Sequence, residues 1–417
     1  MKPSIVPTAD EVVRPADGTA LQRLGRRLFL AKLAGLREGE LTVIDGDGSH
    51  TFGRRTPACN LRATIEVLHP QTYADAAFGG TVGGGEAYIR GLWRTDDLTA
   101  LIRLMIVNRD VMQSMEGGAA FVTAPLRRLL HWLNRNSPDG SRRNIAAHYD
   151  LGNDLFALML DETMAYSCGV FERDDATLHE AQLAKFERIC RKLRLGPSDH
   201  LLEIGTGWGA FAIHAASRYG CRVTTTTISA NQLARARRRV AEAGLSDSVT
   251  VLHTDYRDLQ GRFDKLVSVE MLEAVGADYY GTFFSKCASL LEDDGLMALQ
   301  TITIADARYE QHVRGVDFIK RYVFPGSNIP SITALLQAAT RSSDLTLRRL
   351  DDIGPHYATT LAAWRENLAR NADAVAKITE ERFRRIWHFY LCYCEAGFAE
   401  GYLGDAQMLL SRPRGKA

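Results

Sequence analysis

A regular alternation of predicted helices and strands between about 174 and 272 limits the fold of this chain more than any other feature. A helical pattern around 174–195 leads to an apolar strand at 199–209, and the helix AFAIHAASRYG follows. The strands RVTTTTIS, VTVLHTDY and FDKLVSVEML and the helix ANQLARARRRVAEAG continue the pattern. Parallel strands need crossover connections, so the alternation predicts a doubly wound, mostly parallel α/β sheet.

The turn after the first strand, LLEIGTGWGAF, contains Gly205, Gly207 and Gly209. Glycine lets the backbone approach a ligand that a side chain would exclude. Three glycines that open a helix weaken it by about 1 kcal/mol each relative to alanine, which favours a bound ligand over a simple tight turn. Read as G-x-G-x-x-A, the segment also matches a dinucleotide fingerprint, so the glycines alone do not choose the ligand.

Two acids near this loop favour S-adenosylmethionine (SAM) over NAD. Glu203 precedes the glycines in the pattern acid-x-G-x-G-x-G, and Asp255 follows the third strand, where it suits an adenine amine. A dinucleotide enzyme places an acid on the ribose about 20 residues after the glycines, and the strand RVTTTTIS offers none. The pattern therefore predicts a SAM site.

The rest of the chain divides into segments of different composition. The segment ELTVIDGDGSHTFG predicts a β-hairpin with its turn at Gly46 and Gly48, and the tail from 360 to 410 is aromatic-rich and predicted to be helical. The predicted organisation is a disordered N-terminus at 1–20, a small α+β domain at 21–115, a basic linker with a short helix at 116–145, and the catalytic domain at 146–417.

Composition excludes several classes of protein. The net charge of +1 favours no nucleic-acid partner, and no apolar run reaches the roughly 18–20 residues that span a bilayer. The segment LGRRLFLAKLAGLREGE resembles a twin-arginine signal but is interrupted by Lys32 and lacks a cleavage site, so an amphipathic helix is expected. The seven cysteines are scattered without zinc-site spacing, which predicts free thiols, no metal and a cytoplasmic protein.

Six segments of the chain resemble the cyclopropane-fatty-acyl-phospholipid synthases and their mycolic-acid-modifying relatives. They occur in the family's order and extend from about 144 to 410. These segments are NIAAHYDLGNDLFALMLDETMAYSCGVF, LLEIGTGWGAFAIHAA, TTTTISANQL, LVSVEMLEAVGADYYGTFF, DFIKRYVFPGSNIPS and DIGPHYATTLAAWREN. The resemblance implies a Rossmann-like SAM-dependent methyltransferase fold with a seven-stranded sheet and a smaller N-terminal lipid-associated domain.

The resemblance also implies a reaction and a set of site residues. SAM would methylate a cis double bond of an unsaturated phospholipid, and a bound bicarbonate would deprotonate the carbocation so that a cyclopropane closes. The residues implied for the SAM site, together with the acids and glycines above, are Tyr166, Ser167, Thr227, Ile228, Gln232 and Tyr256. Those implied for bicarbonate are Cys168, Glu273, Gln300, Ile302 and Tyr357.

Two departures from the family pattern concern the implied bicarbonate site. The family often reads F-E-H-V-G where this chain has Leu272-Glu273-Ala274-Val275-Gly276, and a family histidine aligns with Gln300. Glutamine can hydrogen-bond an anion but cannot titrate near neutrality as histidine does. The departures bear on proton removal, so a methyl- or methylene-branched product stays open beside the cyclopropane.

The segment VSVEMLEAVG places two acids in an apolar context, where a carboxylate is costly unless it is paired. We expect Glu273 to hold bicarbonate through a shared proton, with a helix cap as the alternative role. We expect Glu270 to satisfy backbone donors or a basic neighbour. For Cys168, no partner for nucleophilic catalysis is evident, and we expect its backbone to matter more than its sulfur.

A membrane-embedded substrate requires contact with the lipid surface. The segment APLRRLLHWLNRNSPDGSRRN is basic with leucines and a tryptophan, which suits an interfacial helix or a solvated linker equally. We expect a peripheral protein at the inner face of the cytoplasmic membrane, and the family suggests a homodimer.

Aromatic rings could stabilise the carbocation, and the candidates are Tyr166, Phe318, Tyr322, Phe324 and Tyr357. A methyltransferase for soluble acceptors and a catalytically inactive lipid-binding protein remain competing functions.

Overall fold

The structure, a computed structural model, describes residues 13–110 and 152–414. Within these ranges the strands are β1 (Gly39–Asp45), β2 (Gly48–Arg54), β3 (Arg62–Val67), β4 (Trp93–Thr95), β5 (His200–Ile204), β6 (Arg222–Thr227), β7 (Val249–His253), β8 (Phe263–Val269), β9 (Leu291–Ile304), β10 (Thr346–Asp352) and β11 (Leu403–Ser411). The helices are α1 (Ala20–Leu33), α2 (Gln71–Ile89), α3 (Leu98–Val107), α4 (Asn153–Met159), α5 (Leu178–Leu193), α6 (Ala210–Tyr219), α7 (Ala230–Glu242), α8 (Tyr280–Leu290), α9 (Asp306–Arg314), α10 (Phe318–Tyr322), α11 (Ile332–Ser342), α12 (Gly354–Arg370), α13 (Ala372–Ile378) and α14 (Glu381–Ala399).

A seven-stranded sheet with the order β10-β11-β9-β8-β5-β6-β7 forms the larger unit. The strands from β7 across to β9 are parallel, and β11 and β10 continue the sheet as antiparallel strands. This arrangement confirms the predicted doubly wound, mostly parallel sheet. The order reverses at β5, because β6 and β8 lie on its opposite sides, and ligands of such sheets bind where the strand order reverses.

Neighbouring residues of β5 point to opposite faces of the sheet, and each face has its own core. Leu201 belongs to a core that includes Phe186 of α5 and Phe211 of α6. Leu202 belongs to the other core, with Phe283 of α8 and its neighbours. Because successive side chains alternate across a strand, an apolar pair on β5 is buried by helices on both faces. The two cores fix β5 and the loop that follows it.

The smaller unit contains a four-stranded sheet with the order β2-β1-β3-β4. β1 and β2 form the predicted hairpin, with Asp45 paired to Gly48 across the turn. The amphipathic helix predicted near the N-terminus is α1, and α2 is kinked at Gly80, where φ is 61° and ψ is −148°. Glycine adopts this positive φ without the steric cost that a Cβ would bring.

Two segments of the predicted catalytic domain belong to the smaller unit, so its boundary at 146–417 needs correction. Residues 315–323 and 376–402 group with the N-terminal strands and helices, while the larger unit takes 324–375 and 403–414 of the described residues. Phe318 packs on Phe389 with ring centroids 4.4 Å apart, and a Cβ on Gly85 would lie 2.8 Å from the Phe318 ring. Local patterns did not reveal this grouping because the contacts join segments far apart in the chain.

The prediction of a helical tail from 360 to 410 is wrong at its end. Residues 403–411 form β11, which lies between β9 and β10 with Met408, Leu409 and Leu410 buried. A strand covered on both faces shows no polar alternation, so its pattern resembles that of a buried helix. The predicted N-terminus at 1–20 lies mostly outside the described residues, and the basic linker at 116–145 entirely so. In the described parts, none of the helices combines the length and apolar character needed to span a bilayer.

Candidate active site

The glycine loop between β5 and α6 has the backbone of a ligand cradle. Gly205, Gly207 and Gly209 have φ values of 104°, 51° and 87°, which L-residues with a Cβ rarely adopt. A Cβ on Gly205 would lie 3.2 Å from Met271, whereas a Cβ on Gly207 would meet no described atom within 4 Å. The loop is therefore packed at Gly205 and open at Gly207, which fits a cofactor that lies against the backbone there.

Glu203 lies beneath this loop. Its side chain is only 4% exposed, and its carboxyl accepts a hydrogen bond of 2.6 Å from the Thr225 hydroxyl. The Thr206 and Thr225 hydroxyls are 2.7 Å apart. Burial raises the pKa of Glu203 to about 8, and the Thr225 bond opposes this shift. Glu203 is therefore linked to the floor of the loop and carries a proton near neutrality.

The loop after β6 presents the next predicted SAM residues. The Thr227 hydroxyl donates to Gln232 Oε1 at 2.8 Å, and Gln232 is buried at the start of α7. Ser229 caps α7 by accepting from the Gln232 N–H, and the Ile228 carbonyl lies 3.2 Å from His253 Nε2. These hydrogen bonds join the end of β6 to the first turn of α7.

The acid predicted for the adenine amine has a partner within the chain. Asp255 accepts from the Arg257 backbone N–H and from its guanidinium, at 2.6–3.0 Å. The ring of Tyr256 packs edge-on against Phe283 in the core, with Arg257 5.5 Å from the Tyr256 ring centroid. Arg257 thus fixes the position of both residues that the sequence predicts for adenine recognition.

The predicted pair Tyr166 and Ser167 lies on the segment before α5. The Tyr166 ring packs between Phe156 and Trp364, with centroids 5.2 Å and 5.1 Å away. The Ser167 hydroxyl accepts a hydrogen bond of 2.5 Å from the Lys185 ammonium. Tyr166 therefore belongs to an aromatic cluster of the larger unit, and Ser167 is positioned by its hydrogen bond from the buried Lys185.

Glu270 has the densest set of contacts among the predicted residues. Its Oε1 accepts from the Cys168 backbone N–H and from Gln300 Nε2, both at 2.8 Å. Its Oε2 accepts from the Tyr357 hydroxyl at 2.5 Å. Three donors to acceptor oxygens form the environment of an ionised carboxylate. The sequence-based expectation assigned these donors to bicarbonate, and the structure gives them to Glu270.

The backbone of Glu270 is strained. Its φ is 46°, and its N–H donates to the Gln300 carbonyl at 2.8 Å. A left-handed conformation costs an L-residue other than glycine about 1–2 kcal/mol. Such strain persists where surrounding contacts impose it, and it is often found at functional sites. Glu270 directly follows β8, which neighbours β5, the strand at which the sheet order reverses.

A chain of side-chain hydrogen bonds fixes the orientation of Gln300. The Lys192 ammonium donates to Gln407 Oε1 at 2.6 Å, and Gln407 Nε2 donates to Gln300 Oε1 at 3.0 Å. An ammonium only donates, so each amide presents its oxygen toward Lys192 and its NH₂ toward Glu270. Gln300 and Gln407 are directly opposite in the β9–β11 pairing. The register of the sheet thus directs an N–H donor at Glu270.

Glu273 has a different environment. Its Oε1 accepts from the Thr301 hydroxyl at 2.8 Å and from the Ile302 N–H at 2.5 Å. Its Oε2 is buried and has no hydrogen-bond partner among the described residues. Burial, and then the negative charge of Glu270, raise the pKa of Glu273 to about 7. Glu273 is therefore about half protonated at neutral pH and largely protonated below pH 6.

Two buried charged residues near these acids escaped the sequence analysis. Asp405 lies 3.3 Å from Gln300 Nε2, and burial together with the charge of Glu270 raises its pKa well above the ordinary range. Lys185 is fully buried, and desolvation lowers its pKa to about 8. Lys185 and Gln182 stand on the apolar face of α5, among Ala181, Phe186 and Ile189. The sequence could have revealed Lys185, because two polar residues interrupt the apolar face of the helix predicted at 174–195.

The structure brings together some of the predicted residues and separates others. The Cys168 backbone N–H donates to Glu270, while its buried thiol donates to the Gly169 carbonyl and burial raises the pKa of the thiol well above the usual range. Phe318 and Tyr322, proposed to stabilise the cation, belong to the smaller unit. The aromatic candidates that belong to the larger unit are Tyr166, Phe324 and Tyr357.

Comparison with known proteins identifies relatives of this chain. The family model described as mycolic acid cyclopropane synthetase matches residues 136–408. Tuberculostearic acid methyltransferase UfaA1 of Mycobacterium tuberculosis is 36% identical over 384 residues, which cover 87% of each chain. The cyclopropane-fatty-acyl-phospholipid synthase of Escherichia coli is 34% identical over 352 residues, which cover 84% of this chain and 88% of the relative.

A solved structure supports the same relationship. The mycolic acid cyclopropane synthase CmaA1, complexed with SAH and CTAB, is 36% identical and aligns with a TM-score of 0.61. The alignment covers 65% of this chain and 98% of that protein. The matched family segment contains the glycine loop, Glu270 and Glu273, so the site described above lies within the shared region. The chain belongs to the mycolic acid cyclopropane synthetase family of SAM-dependent methyltransferases.

Proposed function

We propose that this protein transfers a methyl group from SAM to a cis double bond of an unsaturated phospholipid acyl chain. The observation that carries the proposal is the Glu270 carboxylate, held by three donors near the carboxyl end of β8, beside the strand that leads into the glycine loop. A methyltransferase acting on a heteroatom needs no base for a carbon-bound proton, whereas addition to an alkene requires one. Relatives named as lipid methyltransferases and cyclopropane synthases support the same substrate class.

The residues around the glycine loop fit SAM. The open space at Gly207 would accept the cofactor against the backbone, and buried Thr227 and Gln232 offer polar atoms at the adjacent turn. When bound, SAM supplies an electrophilic methyl group on a sulfonium, which a weakly nucleophilic alkene can accept. Tyr166 and Tyr357 provide aromatic faces that stabilise a carbocation without acting as strong nucleophiles.

Bicarbonate does not fit the contacts of this chain. The Cys168 N–H, the Gln300 amide and the Tyr357 hydroxyl all donate to Glu270. The Ile302 N–H donates to Glu273. These are the groups that the family resemblance implies for the ion, and an anion beside Glu270 would also face its negative charge. We therefore assign no step of the reaction to bicarbonate.

The product that we propose is a cyclopropane acyl chain. Loss of a proton from the transferred methyl carbon lets its C–H electron pair close the ring. The alternative is a methylene branch, which loses the same proton after a hydride shift, and reduction would convert it to a methyl branch. The branched chain stays as the alternative product because this chain is similar, over 87% of its length, to a tuberculostearic acid methyltransferase.

Turnover on lipid vesicles tests the function. The full-length protein is incubated with vesicles of unsaturated phosphatidylglycerol and with SAM that carries a CD₃ group, and the fatty acids are analysed by mass spectrometry. Either product is expected to retain two deuterium atoms. Ozonolysis leaves the ring intact and cleaves the methylene branch. Absence of lipid labelling, with methylation of soluble amines or hydroxyls instead, would contradict the proposal.

The proposed substrate also requires contact with a membrane from the cytoplasmic side. The basic segment at 124–144, which lies outside the described residues, is our candidate for a peripheral contact with anionic lipid. Co-sedimentation with anionic but not neutral vesicles, reduced in 0.5 M salt, is the expected result.

Light scattering of the protein without vesicles would test the homodimer that the family suggests.

A further inference from the structure

We propose that Glu270 is a built-in general base that takes the place of bicarbonate in this protein. The proposal rests on the proposed function, because it names the group that removes the proton from the methylated acyl chain. It reverses the roles expected from the sequence, in which Glu273 holds the base and Glu270 is structural. The contacts, the backbone and the neighbouring charges of Glu270 each support it.

The contacts place an ionised carboxylate where a small oxyanion would bind. Carboxylate and bicarbonate both present a planar O–C–O group to hydrogen-bond donors. The donors to Glu270 come from the segment before α5, from β9 and from α12, through Cys168, Gln300 and Tyr357. Elements that converge from three parts of the chain on one carboxylate form a built anion site, and the side chain of Glu270 occupies it.

The backbone conformation explains why this site needs a special residue. At φ 46° a glycine would be relaxed, whereas glutamate costs about 1–2 kcal/mol. A glutamate retained at such a position indicates that its side chain contributes something that glycine lacks. With glycine there, the same three donors would surround a space of carboxylate size. In this chain the anion at the site is the carboxylate of Glu270, which is covalently attached at the end of β8.

The neighbouring acids leave the negative charge on Glu270. Glu273 and Asp405 both have raised pKa values, caused first by burial and then by the charge of Glu270. Lys185, which is buried and bonded to Ser167, adds a nearby positive charge that interacts with Glu270 and Asp405. The raised pKa values of Glu273 and Asp405 favour their neutral forms, and Glu270 is the acid of the three with donors to both oxygens.

The proton transfer balances without another reactant. A carboxylate oxygen of Glu270 takes a proton from the transferred methyl carbon, and the C–H electron pair forms the new carbon–carbon bond. Glu270 becomes a neutral acid and later returns the proton to water. A fixed carboxylate could instead add to the carbocation as an ester, but donors hold both of its oxygens and ring closure within the substrate is intramolecular.

Replacement of Glu270 combined with control of bicarbonate tests the assignment. The full-length protein and the variants Glu270→Gly and Glu270→Gln are assayed on the same vesicles in CO₂-free buffer and with 20 mM bicarbonate added. We expect wild-type turnover to be independent of bicarbonate and Glu270→Gln to lose about 10²–10⁴-fold in both buffers. Glu270→Gly should be equally impaired in CO₂-free buffer and substantially restored by bicarbonate.

Other results would overturn the assignment. Wild-type turnover that stops in CO₂-free buffer and returns with bicarbonate would mean that Glu270 is not the base, while the lipid methyltransferase function would stand. Full activity of Glu270→Gln would likewise mean that Glu270 is not the base. If the wild type fails to label lipid in every buffer, the proposed function itself fails. The exposed Glu172→Gln serves as the matched control and should behave as wild type throughout.

A binding measurement separates the site from turnover. We expect the ¹³C signal of labelled bicarbonate to broaden with Glu270→Gly and to stay sharp with wild type. Equal broadening with both proteins would contradict the occupation of the anion site by Glu270. SAM affinity by calorimetry and thermal unfolding identify a variant that fails to fold. If Glu270→Gly is unfolded, the near-isosteric Glu270→Gln and the wild-type bicarbonate dependence still decide the question.

Discussion

Replacing Glu203 with glutamine is expected to stabilise the SAM-free protein at neutral pH. Burial raises the pKa of this carboxyl from its ordinary value of 4.5 to about 8. Between these two pH values the unfolded chain releases the proton while the folded chain keeps it. The unfolded state therefore binds fewer protons there, and the free energy of unfolding falls as the pH rises.

The size of the effect follows from the two pKa values. Each pH unit between 4.5 and 8 removes about 1.4 kcal/mol from the free energy of unfolding. The cost reaches about 3 kcal/mol at pH 7 and levels off near 5 kcal/mol above pH 8. Glutamine carries no titratable proton, and its Oε1 can still accept from the Thr225 hydroxyl. The variant should therefore keep the hydrogen bond and avoid the loss of unfolding free energy that the buried carboxyl causes above pH 4.5.

Urea unfolding between pH 5 and pH 9, followed by tryptophan fluorescence, measures this difference. The stability of Glu203→Gln minus that of the wild type should grow with pH up to about 8 and then stay constant. Taking the difference cancels Glu273, which titrates in the same direction in both proteins. The exposed Glu172→Gln should have no such trend. A difference that does not change with pH, or a variant less stable than wild type at pH 8, would refute the reasoning.

Three further predictions concern the cofactor loop and the acid cluster. Gly207→Ala should cost about 1–2 kcal/mol in thermal unfolding and weaken SAM binding by calorimetry, whereas Gly205→Ala should cost more stability because its Cβ meets a neighbouring side chain. Gln407→Leu removes the Nε2 donor to Gln300 Oε1 that orients the Gln300 amide, so turnover should fall about 10–100-fold with SAM affinity unchanged. At pH 6, below its raised pKa of about 7, Glu273 is largely neutral, so Glu273→Gln should lose less turnover there than the roughly 10²-fold expected for a base; a larger loss would restore Glu273 as the central residue.

The sequence by itself determined the alternating strands and helices from β5 to β8 and the position of the glycine loop after β5. Alternating strands and helices, with glycines after the first strand, are local patterns that adjacent residues impose on the backbone. They predicted the doubly wound sheet and the segment 201–211 correctly. The motifs from 144 onward also identified the family, since each lies within a short stretch of chain.

The tertiary structure decided which donors each acid contacts. The donors to Glu270 are 102, 30 and 87 residues away along the chain, so no local pattern could distinguish it from Glu273 three positions later. The pairing of β11 with β9 places Gln407 opposite Gln300, and the sequence had assigned that segment to a helix. Hydrogen bonding and burial act through space, and only the folded chain brings these residues together. The charge state of the site is therefore a property of the fold, while the glycine loop proposed to bind the cofactor is a local feature of the sequence.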